Sequence, residues 1–276
     1  PTAGAGSLVV QTKRVPRSAV RPSPIFLALL AVAVAGGLLA AFFPPVELDV
    51  SGEAGTNPLG ITGIVLLVLG GWAVSLTLHE FGHAVVAYRG GDREGAHKGY
   101  LTMDIRRYTD PILSLVLPLL ILAIGGIPLP GGAVWINQWA LRSRAVSSAV
   151  SLAGPLSNLA LGVLLTGAVA LFPDMPFGLL CGLSLLAMFQ ILAFVLNILP
   201  VPGLDGYGAI EPYLSPQARE FGAKARPWAP LVLFALLIAV EPVARVFFEF
   251  SYFVFGLVGG NELAAIIGLQ LFQFWR

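Results

Sequence analysis

ITGIVLLVLGGWAVSLTLHEFGHAVVAY, residues 61 to 88, is an apolar run long enough to cross a bilayer as a helix, yet it carries two histidines and a glutamate near its end. A helix rises about 1.5 Å per residue and the hydrocarbon core is about 30 Å thick, so roughly twenty apolar residues span it. Ionisable side chains at that depth are expensive and mark function. His79 and His83 are four residues apart, which puts both imidazoles on one helix face, where they can share a tetrahedral metal ion. Glu80 is turned from His79 by about 100°, the placement of a general base beside a metal-bound water. His79 precedes the basic exit at Arg89 by about 15 Å of helix, which places the pair inside the bilayer towards the side on which Arg89 emerges.

The rest of the chain agrees with a lipid setting. Its 276 residues are 57% hydrophobic and 11% charged, with a mean hydropathy of +0.84, against about a quarter charged in soluble domains. Further apolar runs at 25–43, 111–127, 145–172, 177–199, 228–240 and 251–272 predict an all-α polytopic membrane protein with about six transmembrane helices. The single Cys181 excludes an internal disulfide and reads as a small core residue. Charge is sorted by segment. Lys13, Arg14, Arg17 and Arg21 precede the first run, whereas 44–60 holds Glu47, Asp49 and Glu53 without a basic residue. The N-terminus is therefore expected in the cytoplasm, together with Arg89, Arg93, Lys98, Arg106, Arg107, Arg142, Arg144, Arg219, Lys224 and Arg226. The expected organisation is a cytoplasmic tail over 1–24, a first transmembrane helix and outer loop over 25–60, a catalytic membrane core over 61–210, and C-terminal transmembrane helices over 211–276. A nucleic-acid partner is not expected.

Only His97 remains beyond the motif, so a third protein ligand should be a carboxylate. NILPVPGLDG, residues 197 to 206, ends another apolar run, and Pro200, Pro202 and Gly203 interrupt helix geometry there. Asp205 then lies in irregular backbone at membrane depth, which is tolerated where protein or water surrounds it; an ordinary turn aspartate before Gly206 is the equal alternative. Topology bears on the choice. If 111–127 crossed fully, Asp205 would emerge on the face opposite His79. If 111–127 dips in and returns, Asp205 reaches the depth of His79 and Arg142 and Arg144 stay cytoplasmic. A re-entrant or peripheral segment is therefore predicted at 111–127. KGYLTMDIRR, residues 98 to 107, alternates Leu101, Met103 and Ile105 with polar residues, the period of a strand. With a second strand over 131–137 it predicts a small membrane-associated β-hairpin, in which Leu101, Met103 and Ile105 either bind an unwound substrate along a strand edge or only shape the site without touching substrate.

HEFGH at 79–83, AGPLSN at 153–158 and NILPVPGLDG at 197–206 stand in the order and approximate spacing of the site-2 protease family of intramembrane zinc metalloproteases, which the chain resembles over 61–206. The resemblance implies that His79, His83 and Asp205 hold one zinc ion, that Glu80 is the catalytic base, and that Asn158 lies close to the metal as a donor to the oxyanion. LDGY departs from the LDGG of many relatives and puts Tyr207 beside the third ligand. Three Lys against thirteen Arg, with abundant Ala and Gly, suggest a GC-rich bacterial genome, so a bacterial cytoplasmic (inner) membrane is the expected location. The resemblance further implies that the substrates are single-pass membrane proteins such as anti-sigma factors or membrane-tethered regulators. The connection between the HEFGH and AGPLSN helices is too short for a PDZ domain, so membrane lipid, the membrane domain or an adaptor protein would govern substrate entry. The alternatives are a metal-binding membrane transporter or sensor, and a prenyl-protein type membrane protease, which takes a downstream glutamate as ligand.

Overall fold

The computed structural model describes residues 20–48, 54–108 and 135–275. Helix α1, Pro24–Phe42, starts where the Ser23 hydroxyl accepts from the Phe26 N–H at 3.0 Å and Pro24 occupies the first turn, where it needs no donor. A short antiparallel hairpin follows, β1 (Val46–Leu48) on β2 (Ala54–Thr56), with Val46 opposite Thr56. Asn57 then caps α2, Pro58–Gly90, which ends at Gly91 with φ 127°, a conformation glycine adopts without a Cβ clash. Beyond the four-residue helix α3, Glu94–His97, the chain resumes as α4 (Arg144–Leu171) and α5 (Phe177–Asn197). The remaining helices are α6 (Asp205–Ile210), α7 (Pro216–Ala225), α8 (Ala229–Ala239), α9 (Glu241–Leu257) and α10 (Glu262–Phe272).

Four of these, α1, α2, α4 and α5, are long and apolar enough to cross a membrane, and α7 with α8 forms a fifth candidate bent by 62°. The chain is a helical membrane protein, but four to five candidate spans are found among the described residues where the sequence predicts about six. The C-terminal prediction differs because VGGNELAA breaks the last run: Gly259 has φ 82° and Asn261 caps α10, so 251–272 is divided between the end of α9 and α10. The predicted re-entrant segment at 111–127 lies outside the described residues.

Helix α5 is central, with 78% of its most apolar window buried, against 61% for α2, 33% for α4 and 22% for α1. Its Leu185, Ile191 and Val195 join Ile64, Val68 and Trp72 of α2, Phe247 and Phe255 of α9, and Ala265 and Phe272 of α10 in one apolar core. Helices α1 and α2 approach backbone to backbone. A Cβ on Gly63 would overlap the Ala40 backbone nitrogen, and one on Gly36 that of Leu67. Small residues permit such contact where lipid supplies no hydrophobic drive between helices.

The strand predicted over 98–107 does not form. Gly99 at φ 80° and Met103 at φ 51° are both left-handed, and between and after them the chain makes two 3-10 turns, Tyr100–Thr102 and Ile105–Arg107. The buried residues are Tyr100, Leu101, Asp104, Ile105 and Tyr108, a spacing of three to four rather than two. Leu101 and the two tyrosines pack on Ala84, Phe81, Val85 and Tyr88 of α2, so Leu101 and Ile105 are committed to packing and do not present a free edge. Of the proposed partner strand, 131–134 lies outside the described residues, and 135–137 is not extended in a sheet. Among the described residues, the hairpin found, β1 with β2, sits at the other end of α2.

This turn region is fastened to the start of α1, where the Arg21 N–H donates to the Leu101 carbonyl at 3.2 Å and the Ser23 hydroxyl to that of Met103 at 3.0 Å. Asp104 accepts from the Arg106 N–H, Nε and Nη2 at 3.2, 3.0 and 2.9 Å. The Arg106 side-chain hydrogen bonds hold its carboxyl below the usual carboxylate value, against the opposing effect of burial. A lowered folded-state pKa gives stability that is present above the ordinary carboxylate range and lost as pH falls through the lowered value. Asp104→Asn should therefore flatten that acid-side loss in a thermal-midpoint series against pH. Gly63→Val, which drives a side chain into the α1 backbone, should cost about 3 kcal/mol or more, read as thermal unfolding in detergent.

Candidate metal centre

Helix α2 supplies His79, Glu80 and His83 from adjacent turns, all 4–6% exposed. Helix α4 crosses them closely because two motif glycines remove side chains at the crossing. A Cβ on Gly82 would press on Ser157 Oγ and the Ala153 carbonyl, and one on Gly154 would overlap Nε2 of both histidines. Asp205 arrives from α5 through a compact turn: Val201 N–H donates to Leu199 O at 2.8 Å, Leu204 N–H to Val201 O at 2.9 Å, and Gly203 takes φ 100°. These bonds satisfy backbone that the prolines release, and they set Asp205 in the first turn of α6.

The result is a convergence of three donor groups remote in sequence. His79 Nε2 lies 3.2 Å from Asp205 Oδ2, His83 Nε2 lies 3.4 Å from Asp205 Oδ1, and the two Nε2 atoms are 3.1 Å apart. A tetrahedral ion with arms of about 2.0–2.1 Å spaces its donors by about 3.3–3.4 Å. The tautomers fit as well. His83 Nδ1 is 2.7 Å from the Val150 carbonyl, which can only accept, so the ring carries a proton on Nδ1 and, when neutral, offers its lone pair at Nε2. His79 Nδ1 faces Asn158 Oδ1 in the same sense. Two ring lone pairs and a carboxylate thus crowd one point, and Gly154 keeps the adjacent space open. A cation resolves that crowding of acceptors. Two imidazoles and a carboxylate are the donor set of a catalytic zinc site, which leaves one position for water. Among the described residues, His79, His83 and Asp205 form one group able to hold a metal.

The chain is 45% identical over 260 residues to the protein named "Putative zinc metalloprotease Rip2" of Mycolicibacterium smegmatis, a match covering 94% of this chain and 96% of that relative. The same identity and shares hold for the Mycobacterium tuberculosis protein of that name. The protein named "Putative zinc metalloprotease YwhC" of Bacillus subtilis is 30% identical over 190 residues, 66% of this chain and 83% of its own length. The chain belongs to the site-2 protease family of zinc metalloproteases. No protein-family model and no solved structure matches it. Zinc is accordingly the cofactor that this family membership and this donor set both indicate.

Seen as a site-2 protease family member, the protein places the remaining sequence candidates as follows. Glu80 lines the same cavity, about 170 Å³, as His79, His83, Asn158, Asn197 and Asp205. Asn158 is close to the metal ligands, but both ends of its amide are engaged: Oδ1 faces His79 Nδ1, and Nδ2 donates to Gln190 Oε1 at 2.8 Å. In this arrangement it orients a ligand, and one of the two N–H groups on Nδ2 is used by Gln190. Asn197 Nδ2 donates to the Ala193 carbonyl of its own helix at 3.0 Å. Tyr207, the departure in LDGY, is buried, and its hydroxyl donates to the Ala218 carbonyl of α7 at 3.4 Å. It packs against Gly222.

Three contributors were not legible beforehand. Val150 acts through its carbonyl, which no side-chain pattern encodes. Gln190 is fully buried within an apolar run; its polarity at that depth is the one signal that marks it. Asp92, 2% exposed, accepts from the Glu94 N–H at 2.9 Å and from the Asn137 N–H at 3.0 Å, which ties 135–137 to the end of α2 and sets Ile136 against the metal cavity. Gly154→Ala should reduce bound zinc at least about tenfold with helical content retained, because the methyl enters the space beside both ligands; elemental analysis with circular dichroism of the purified protein checks it.

Proposed function

We propose that this protein is an intramembrane zinc endopeptidase that hydrolyses a peptide bond in or near the transmembrane segment of a membrane-anchored protein. The observation that carries the reading is the convergence of His79, His83 and Asp205 beside Glu80 on a buried stretch of a membrane-length helix. Zinc held by His79, His83 and Asp205 would supply a lowered pKa to a coordinated water and polarisation of the scissile carbonyl. The chain's own residues do the rest. Val150 and Asn158 hold the two rings with Nε2 inward. The Glu80 carboxylate takes the proton of the attacking water and returns it to the leaving amine nitrogen. Burial on α2 keeps this exchange in low dielectric, where charge stabilisation is strongest.

Access supports a cytoplasmic opening. A cleft of about 700 Å³ shares Ser151, Gly203, Leu204 and Asp205 with the metal cavity and reaches Arg144, Arg219 and Arg226. The bonds from Arg21 and Ser23 to Leu101 and Met103 bring the start of α1 to the end of α2 that bears Arg89. Basic residues therefore gather at one end, which supports a cytoplasmic N-terminus in a bacterial inner membrane. Water and the polar flank of a substrate would enter from that side. A substrate helix keeps its carbonyls bonded internally, so it must unwind before one of them reaches the site. Single-pass proteins such as anti-sigma factors or membrane-tethered regulators present one such helix and are the substrate class we assign, with an adaptor protein as a further partner.

Glu80→Gln should lower cleavage of a reconstituted single-span substrate by about 10²–10⁴-fold while bound zinc stays at the wild-type level. Equal cleavage at equal metal content would overturn the mechanism.

A further inference from the structure

Gln190 was assigned no role by the sequence, and its position raises a question about the histidine it does not touch. The two metal-binding rings are oriented by different kinds of partner. His83 Nδ1 meets the Val150 carbonyl, an acceptor in every state, so its tautomer is fixed by the backbone. His79 Nδ1 meets Asn158, whose amide presents an acceptor at one end and donors at the other. Whether His79 offers a lone pair or a proton at Nε2 therefore depends on which way the Asn158 amide faces.

We infer that Gln190 is the positioning residue that sets the Asn158 amide, and through it the metal-binding tautomer of His79. Its Oε1 accepts from Asn158 Nδ2 at 2.8 Å, which turns Asn158 Oδ1 towards His79 and keeps the ring proton on Nδ1. Gln190 and Asn158 are 0% and 3% exposed, so bulk solvent does not compete for the bond between them. The arrangement leaves the Gln190 Nε2 donor buried without a partner, a state that ordinarily costs free energy. Exchanging oxygen and nitrogen in both amides would give that nitrogen a partner and put Gln190 Oε1 in its partnerless position: Gln190 would donate to Asn158, Asn158 to His79 Nδ1, and the His79 proton would move to Nε2, 3.2 Å from Asp205 Oδ2. No proton is gained or lost in that exchange, but His79 ceases to be a ligand. The relay thus has two settings, and bound metal would favour the one in which Asn158 Oδ1 faces His79. Such outer partners of a ligating histidine typically change metal affinity by about 10–100-fold.

The inference rests on the zinc-site reading but not on proteolysis, and its test reads metal affinity by chelator competition on the full-length protein in detergent. Gln190→Met and Gln190→Ala should each weaken zinc about 10–100-fold. Asn158→Asp presents acceptors only, so His79 must keep its proton on Nδ1; in that background the same Gln190 substitutions should change affinity less than about twofold. Thermal midpoints of the metal-free proteins separate folding from positioning. If the Gln190 variants leave zinc affinity unchanged, or weaken it equally in the wild-type and Asn158→Asp backgrounds, the relay is wrong. Full cleavage by Glu80→Gln would sink the endopeptidase reading and leave this result standing.

Discussion

Three lone-pair donors, two imidazole nitrogens and a carboxylate oxygen pair, are held within about 3.1–3.4 Å of one another inside a helical membrane protein. Left without a metal ion or a shared proton, such a cluster of acceptors in low dielectric is unfavourable. Everything around it can be understood as structure that makes the cluster hold. Helix α2 fixes the two rings at i and i+4, α4 closes over them, and α5 delivers the carboxylate through a turn whose backbone bonds are made locally.

The closeness of α2 and α4 ties the first two motifs together. Gly82 within HEFGH and Gly154 within AGPLSN face the same crossing, and a methyl on either would meet the other helix. The motifs are therefore parts of one packing solution: the histidines approach Asp205 because the helices behind them carry no side chain at the point of contact. Gly154 serves twice, since the space it leaves also borders both ligating nitrogens. Polar residues one step further out, Asn158, Gln190 and the Val150 carbonyl, then decide where each ring carries its proton.

The turn region at 98–108 shows how an alternating pattern can mislead. Leu101, Met103 and Ile105 repeat every second residue, but Gly99 and Met103 take left-handed backbone and the burial follows a three-to-four spacing. The alternation could not report this, because the decisive partners are α2 and the start of α1. The same limit explains Asn158. Its presence in AGPLSN marked it as near the metal, but the direction of its amide depends on Gln190, thirty-two residues further along the chain.

By itself the sequence determined the membrane class, the two histidines and the glutamate on one helix, and the need for a carboxylate as third ligand, because helix periodicity and hydropathy are local properties. Tertiary structure decided what no local pattern can hold. It brought Asp205 to the two histidines through the Pro and Gly break, put the hairpin at the opposite end of α2, and set Asn158 and Gln190 in series behind His79. These depend on which helices meet and at what distance, and that is set by side chains absent at Gly82 and Gly154 as much as by those present.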